Sequence, residues 1–495
     1  MKRTISLVLA ALMLSTVLTA CSSSEDTDKS AVTTAAPTDV TTAETTPEET
    51  RLYPDHLPDI TFENADVNLG HWEYDSGMLI QDMDAEAENG DLVNDAIYKR
   101  NLAIEEKYKV NLLTTYIYLG DMTALYRKMV QAGDQTYDTI FVRAHEMPAQ
   151  YNNGVLLNLR VLPHVDWTNP WWDQDSIEGL SILGGLPAIA SDINLADNIA
   201  TACVMFNKQV ATDSNIDSEQ FYNYVLDGTW TIEQMYEIGK TVSADTNGNG
   251  EADDGDLFGI VGQQDPTYIL YFGSGEHYVK NDSDGVPCLA FDNERSYSVC
   301  DAIIKLMNDE KHYFTPTGKD IADVFAANKC LFMVDRLKRT ELLRNMQSDY
   351  GVLPVPKYDN SQDGYSNIVS IHNATLLTIP KTNARLEMTA IILEALACES
   401  RYTVIETYYE VVLQEKLTRD AASYQMIEII FNNRVYDLGE LYALGGFNGE
   451  VLNMSLRNTA MASKYASVEK RMQKELDKLI EKAEKMIEES EDAVI

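Results

Sequence analysis

Apolar and polar residues follow two periods along this chain, one typical of helices and the other of strands. Ile97, Ile104 and Tyr108 form one apolar stripe, which predicts a helix capped by Asn94. Short β-prone runs recur between the helical stretches, at 110–117, 137–142, 200–206, 257–261, 329–334 and 374–379. Strands that alternate with helices in this rhythm predict an α/β fold with parallel strands.

Further helices are expected at several places. One is predicted over 122–132, and Thr231 is expected to cap another, with Gln234 reaching back to the cap. From Leu386 onward the pattern is almost wholly helical, and it ends in an amphipathic helix near 463–490. The chain therefore predicts a mixed α/β body with a helical C-terminal region.

The N-terminal residues have the pattern of an export signal. A short basic start precedes an apolar run that is too short to span a bilayer. The run ends in Leu18-Thr19-Ala20-Cys21, which resembles a bacterial lipobox. The pattern predicts a signal peptide at 1–20 and a lipid on Cys21, which would hold the protein on the outer face of the cell membrane. The alternative is an ordinary cleaved signal with an incidental cysteine.

The next segment, 21–59, is predicted to be a disordered stalk. Between Ser22 and Thr50 it contains no aromatic residue and no Leu or Ile. Such a segment cannot bury enough apolar surface to offset the entropy of ordering. We expect it to hold a folded body away from the membrane.

Composition limits the classes of function. The remaining body, about 445 residues, exceeds what one hydrophobic core usually accommodates, so two domains are expected. The chain has 39 basic and 78 acidic residues, which argues against nucleic acid and anionic lipid as partners. Five cysteines remain in the body without a CxxC pair, which disfavours a zinc site. Either Cys288 and Cys300 form a disulfide, or all five are small buried hydrophobes.

Four segments of the body form a recognisable series. They are 137–146 followed by 154–159, the segment 203–208, the segment 323–334, and 350–356 with its return strand 374–380. In this order they resemble the extracellular solute-binding proteins of ABC importers, family 1, which include maltose-binding-protein-like sugar-binding lipoproteins. The element Pro170-Trp171-Trp172-Asp173 and the long helical tail look more like the large sugar-binding lipoproteins of Gram-positive bacteria.

The resemblance implies a two-lobe periplasmic-binding-protein type II fold with hinge-crossing strands. The first lobe would hold 60–196 and 320–368, and the second 197–319 and 369–495. The lobes are expected to close on a solute by hinge motion. The resemblance further implies a binding protein rather than an enzyme, with no functional cofactor. Its partners would be a small solute, in the first place an oligosaccharide, and an ABC transporter permease.

Candidate ligand-binding residues follow the predicted strands, because ligands of open α/β sheets lie beyond the carboxyl ends of strands. Three loops meet this condition; they contain Arg143, His145 and Glu146, then Gln263, Gln264 and Asp265, then Asp335 and Arg336. Planar faces for sugar rings are expected from Trp171, Trp172 and Tyr268. The alternatives are core packing for the tryptophans, a solvated loop for His145 and Glu146, and a local ion pair for Asp335 and Arg336.

Residues 245–256 follow the spacing of a calcium loop. Oxygen donors recur at positions 1, 3, 5, 7, 9 and 12, which are Asp245, Asn247, Asn249, Glu251 through its carbonyl, Asp253 and Asp256. Two departures are an Asp in place of Glu at the last position and a strand rather than a helix afterwards. We expect a structural calcium ion here; the alternative is an Asx-rich surface turn.

Three classes of function are compatible with these observations. A lipid-anchored solute-binding protein is favoured by the resemblance. A secreted glycoside hydrolase is the alternative, since acidic residues are abundant and such enzymes need two carboxylates at a defined separation. An adhesion or scaffold protein is favoured only by the stalk and the charge.

Overall fold

The computed structural model describes residues 56–73, 82–415, 421–457 and 460–492. The predicted signal peptide at 1–20, the predicted lipid on Cys21 and the predicted stalk up to residue 55 lie outside the described residues. Within 51–495, the described residues form one compact unit.

The strands are β1 (Ala65–Glu73), β2 (Val110–Tyr118), β3 (Thr139–Arg143), β4 (Ala202–Asn207), β5 (Phe258–Val261), β6 (Val279–Asn281), β7 (Pro287–Leu289), β8 (Tyr313–Phe314), β9 (Cys330–Arg336), β10 (Tyr350–Leu353), β11 (Asn367–Ile368), β12 (Thr375–Thr378) and β13 (Arg434–Val435). The helices are α1 (Leu92–Tyr108), α2 (Leu119–Ala132), α3 (Met147–Asn152), α4 (Gln174–Leu180), α5 (Ala196–Ala200), α6 (Lys208–Asp213), α7 (Glu219–Leu226), α8 (Ile232–Val242), α9 (Pro266–Gly273), α10 (Glu294–Met307), α11 (Ile321–Ala326), α12 (Leu386–Ser400), α13 (Glu406–Glu415), α14 (Ala421–Phe431), α15 (Leu438–Leu441), α16 (Phe447–Leu452), α17 (Met454–Arg457) and α18 (Met461–Asp492).

A four-stranded sheet, in the order β12-β3-β1-β2, forms the centre of the first lobe. Strand β1 is parallel to β2 and β3, and β12 is antiparallel to β3. Ile140, Phe141 and Val142 of β3 are fully buried, as expected for a strand covered on both faces. We define the first lobe as this sheet with α1 to α4 and α12.

A five-stranded sheet, in the order β10-β4-β9-β5-β8, forms the centre of the second lobe. Strand β5 is parallel to β8 and β9, whereas β4 is antiparallel to β9 and β10. Helix α8 lies close against β5, since a Cβ on Gly259 would come within 2.4 Å of the carbonyl oxygen of Gly239. Glycine at this contact therefore permits the close approach. We define the second lobe as this sheet with α6 to α11.

The sheet pairing corrects the predicted division of the chain between lobes. The segment 320–368 was assigned to the first lobe, but β9 and β10 pair with β4 and β5 in the second. The segment 369–495 was assigned to the second lobe, but β12 pairs with β3 in the first. The physical reason is that the apolar runs at 330–334 and 375–378 are equally suited to either buried sheet, so strand patterning cannot choose between them.

The chain crosses between the lobes at a narrow junction. Thr201, just before β4, pairs with Val369, and the amide of Ser370 donates to the carbonyl of Ala200 over 3.0 Å. Strand β11 beside them pairs in parallel with β13. The junction therefore contains three chain segments: the segment before β4, the segment of β11 with Val369 and Ser370, and β13.

Helix α18 contacts both lobes. In its first half, the ring of Tyr465 stacks on Phe291, which precedes α10, with 5.2 Å between ring centroids. In its second half, the Tyr151 hydroxyl donates to the carbonyl of Leu479 over 3.0 Å, and Lys482 donates to the carbonyl of Asn152 over 2.9 Å. The helix therefore forms a brace between lobes, in addition to the junction.

The cysteines do not form the disulfide that was one of the two predicted alternatives. Cys288 is exposed, whereas Cys300 is buried within α10. Cys203, Cys330 and Cys398 are also buried. Four of the five therefore behave as small core residues, and Cys288 does not.

The docking of α18 is tested by Leu476→Ala. Leu476 is fully buried, so we expect its truncation to lower the free energy of unfolding by about 2–5 kcal/mol. The control Lys474→Ala, on the exposed face of the same helix, is expected to change it by less than about 0.5 kcal/mol. Denaturant unfolding followed by circular dichroism measures both, and equal effects of the two substitutions would contradict the docking.

Candidate functional site

Predicted residues from two strand ends approach the junction from opposite lobes. Strand β3 ends at Arg143, and a single 3-10 turn, Ala144–Glu146, follows it. Strand β9 ends at Arg336, after Asp335. The structure brings the first and third predicted loops toward the same part of the junction, where Arg143 and Arg336 both act on His372.

Arg336 is the centre of the cluster in the second lobe. Its Nε donates to Oδ1 of Asp335 over 2.8 Å, and a terminal nitrogen forms an ion pair with Asp265. The other terminal nitrogen lies 3.3 Å from the hydroxyl of Tyr268 and 3.3 Å from the hydroxyl of Ser370, in the crossing segment. Three predicted residues and one that was not predicted are therefore held by a single guanidinium group.

The cluster of the first lobe contains Arg143, His145 and Glu146. A terminal nitrogen of Arg143 lies 3.6 Å from the carboxylate of Glu146, and Nδ1 of His145 lies 3.7 Å from the same oxygen. The Nε of Arg143 is buried without a hydrogen-bond partner among the described residues. The half-exposed ring of His145 lies 4.8 Å from the ring of His372. Arg143 thus retains capacity for further hydrogen bonds.

His372 connects the two clusters. Burial, followed by the positive groups of His145, Arg143 and Arg336, lowers its pKa to about 4. Arg143 belongs to the first lobe and Arg336 to the second, so charges from both lobes lower the pKa of this one imidazole. The imidazole is therefore neutral at pH 7.

Glu440, on α15, lies at the floor of the same region. Burial, followed by the charges of Asp437 and Asp265, raises the pKa of Glu440 to about 8. Its Oε2 is buried without a hydrogen-bond partner among the described residues. Sequence reasoning missed Ser370, His372 and Glu440, because none of them follows a predicted strand end or belongs to a recognisable motif.

Two spaces are lined in part by residues of α15, and none of the predicted ligand-binding residues lines either of them. A small cavity of about 10 Å³, enough for one water molecule, is lined by first-lobe residues, crossing residues and the side chain of Glu440. An open crevice of about 340 Å³ lies between α4 and β6. Tyr436 lines both spaces. The volume of the crevice falls within the usual range for small-molecule sites.

The tryptophan pair does not contribute to this crevice. Trp171 and Trp172 are each 1 % exposed, and the indole nitrogen of Trp172 donates to Glu394 over 2.8 Å. The pair belongs to the core of the first lobe, so the predicted role as sugar platforms is replaced by the packing alternative. Burial of side chains as large as tryptophan stabilises the folded protein more than their exposure in an open cleft would.

The remaining loop residues have mixed roles. The carbonyl of Gln263 accepts a hydrogen bond from the Tyr313 hydroxyl over 3.2 Å, and the carbonyl of Gln264 accepts one from Thr267. The backbone carbonyl groups of Gln263 and Gln264 therefore accept structural hydrogen bonds just before α9. A role of the two glutamine side chains in binding stays a prediction.

Hydrogen bonds between its own residues hold the predicted calcium loop in its conformation. The carboxylate of Asp245 accepts from the amides of Gly248 and Gly250, and Asp253 accepts from the side chains of Asn247 and Asn249. At the end of the loop, Asp256 accepts from the amides of Thr246 and Asp253, and the amide of Glu251 donates to Asn249. Across the described ranges, no three His, Cys, Asp or Glu side chains are grouped closely enough to hold a metal ion.

Solved structures share this fold of two α/β lobes joined by crossing segments. An ABC substrate-binding protein from Listeria monocytogenes, in complex with cycloalternan, matches with a TM-score of 0.52 and 10% identity, over 84% of this chain and 98% of its own. The cyclic alpha-maltosyl-1,6-maltose binding protein from Arthrobacter globiformis matches with a TM-score of 0.53 and 12% identity, over 87% and 99%.

UgpB from Mycobacterium tuberculosis, in complex with glycerophosphocholine, matches with a TM-score of 0.53 and 13% identity, over 84% of this chain and 99% of its own. No protein-family model matches the sequence, and no curated protein matches it significantly. The similarity confirms the predicted fold, a two-lobe type II binding-protein fold with a helical C-terminal region. The resemblance seen in the sequence is thereby confirmed at the level of the fold.

The role of Arg336 is tested by Arg336→Met. Asp335 would keep its ion pair with Arg339 at 2.8 Å, whereas Asp265 would lose its ion pair with Arg336, so we expect the free energy of unfolding to fall by about 1–3 kcal/mol. The control Arg127→Met changes an exposed arginine of α2 and should have little effect. Calorimetry or chemical unfolding measures both; a stability unchanged by Arg336→Met would show that the cluster is not organised around this residue.

Proposed function

We propose that this protein is an extracellular solute-binding protein, which captures a small molecule between its lobes and delivers it to an ABC transporter permease. The observation that carries the proposal is the convergence of polar side chains from both lobes around His372, on which the charges of Arg143 and Arg336 both act. Arg143 and Glu146 come from one side, and Arg336 and Asp265 come from the other. A bound molecule that contacts both sets would stabilise the closed arrangement of the lobes.

We further propose a carbohydrate as the solute. Each arginine lies beside a carboxylate, and such pairs offer donors and acceptors together, as sugar hydroxyls require. The solved structures named above bind cyclic oligosaccharides or glycerophosphocholine, which supports a polyhydroxyl solute without identifying it.

The proposed location is the outer face of the cell membrane, through a lipid on Cys21. It rests on the lipobox-like motif and on the composition of 21–59. None of the helices in the described ranges is both long and apolar enough to cross a bilayer. Treatment of cells with a lipoprotein signal peptidase inhibitor should leave the precursor uncleaved, whereas an ordinary secretory signal would still be removed.

Calcium is proposed as a structural ion only. The loop 245–256 keeps the oxygen spacing on which the prediction rests, and its side chains already order the backbone through hydrogen bonds. The loop lies before β5 and outside the crevice. Calcium would therefore stabilise the second lobe without touching the solute.

Solute binding is tested by thermal shift against a panel of maltose, maltotetraose, a cyclic tetrasaccharide, glucosamine, glycerophosphocholine and dipeptides. A compound at about 100 times its Kd should stabilise the protein by roughly 2.7 kcal/mol and raise Tm. We expect a sugar to produce the largest shift.

A pair of variants sharpens the panel test. Arg143→Met removes a guanidinium whose Nε has no protein partner among the described residues, so it should weaken binding with little loss of stability. Arg127→Met, on the exposed face of α2, should leave the shift unchanged. A panel without any shift in the wild-type protein would argue against the proposed function, and hydrolysis of a bound glycan would favour the glycosidase.

The calcium proposal is tested by chelation. Removing calcium with EDTA should lower Tm of the wild-type protein, and adding calcium back should restore it. Asp253→Asn should abolish this difference, because it removes a charged oxygen ligand from the predicted set. An identical Tm with and without EDTA in the wild-type protein would leave the loop as an Asx-rich turn.

A further inference from the structure

Glu440 has a carboxylate oxygen that the described part of the chain leaves unsatisfied. Glu440 lines the small cavity, together with Ala144 and Leu376 of the first lobe. The residue is 8% exposed, and its Oε2 has no hydrogen-bond partner among the described residues. A buried acidic oxygen without a partner is strongly unfavourable, so its retention requires an explanation.

The neighbouring carboxylates are in a different situation. Asp437 accepts from the amide of Glu440 over 3.0 Å and from the amides of Tyr278 and Val279 over 3.0 and 3.2 Å. Asp265 forms its ion pair with Arg336. Both groups have partners within the protein, whereas Oε2 of Glu440 has none among the described residues.

The surroundings of Glu440 also define what could satisfy it. The rest of the cavity wall is largely apolar, with Leu180, Ile371 and Leu441 among the lining residues. Two further acidic groups, Asp437 and Asp265, make this point of the crevice electronegative. A group that donates a hydrogen bond is favoured here, and an anionic group is disfavoured.

We infer that Glu440 is a specificity-determining residue, which forms a hydrogen bond with a donor group of the captured solute where the small cavity adjoins the Arg336 cluster. The donor is a hydroxyl or an ammonium group. The inference rests on the proposed function, because it needs a solute between the lobes. The raised pKa of Glu440 agrees with it, since a protonated carboxyl can both accept from and donate to a hydroxyl.

The inference is tested by replacing Glu440 with an apolar residue of similar length. Glu440→Met removes the polar group and keeps the volume, so the variant should fold and be at least as stable as the wild-type protein. Titration calorimetry with maltotetraose, glucosamine and glycerophosphocholine then gives the affinities. For a probe that the wild-type protein binds, we expect Glu440→Met to weaken binding about tenfold or more, equivalent to one hydrogen bond.

Two further variants separate the explanations. Glu440→Gln keeps an acceptor and a donor, so it should restore most of the affinity for maltotetraose if the partner is a hydroxyl. For glucosamine it should be as weak as Glu440→Met, because an amide cannot balance an ammonium charge. Glu428→Met makes the same exchange on the exposed surface of α14 and should change neither affinity nor Tm.

The outcomes distinguish the inference from the proposed function. A probe that binds the wild-type protein and Glu440→Met within twofold of each other would overturn the inference alone; the cavity would then hold only water. Binding of none of the three probes to the wild-type protein would count against both. A Tm that falls in Glu440→Met while affinity is unchanged would give Glu440 a purely structural role.

Discussion

The arrangement of the lobes depends on one buried arginine at their junction. Arg434 of β13 contacts Asp173 over 2.8 Å and Asp197 over 3.1 Å, and all three side chains are at most 8% exposed. Its Nε also lies 3.3 Å from the hydroxyl of Thr201, where the chain enters β4. Removing one partner of such a group leaves uncompensated buried charge, at a cost of about 3–5 kcal/mol. The crossing segments therefore have little freedom to separate at this point.

The positions of the candidate site residues follow from this constraint. Because the crossing segment beside Thr201 is held, Ser370 and His372 lie within reach of the end of β9 and of the turn after β3. Arg336 and Arg143 consequently act on one imidazole although they belong to different sheets. The brace formed by α18 adds a second connection, so closure would combine rotation at the junction with adjustment along that helix.

The regular elements were largely predictable, because they depend on local patterns. The amide of Gln234 donates to the hydroxyl of Thr231 over 3.2 Å, as the predicted cap requires, and α18 covers the predicted terminal helix. The predicted cap of α1 was wrong by three residues. Asp91, rather than Asn94, caps this helix, since its side chain accepts a hydrogen bond from the amide of Asn94. Asp and Asn are both favourable N-cap residues. The apolar stripe begins only at Ile97, so it does not indicate which of the two positions starts the helix.

Tertiary placement was the part that local patterns could not specify. The sequence pattern of the tryptophan pair fits a sugar-binding surface and a core cluster equally well. Only the structure, in which the indole of Trp172 donates to Glu394 of α12, places the pair in the core. Ser370, His372 and Glu440 acquire their roles from the crossing, which joins segments distant in sequence. The central claim is that the crevice between the lobes closes on a solute. Small-angle X-ray scattering, with and without a saturating panel compound that binds, tests it most directly. The account predicts a smaller radius of gyration in the bound state, and superimposable curves at full occupancy would contradict it.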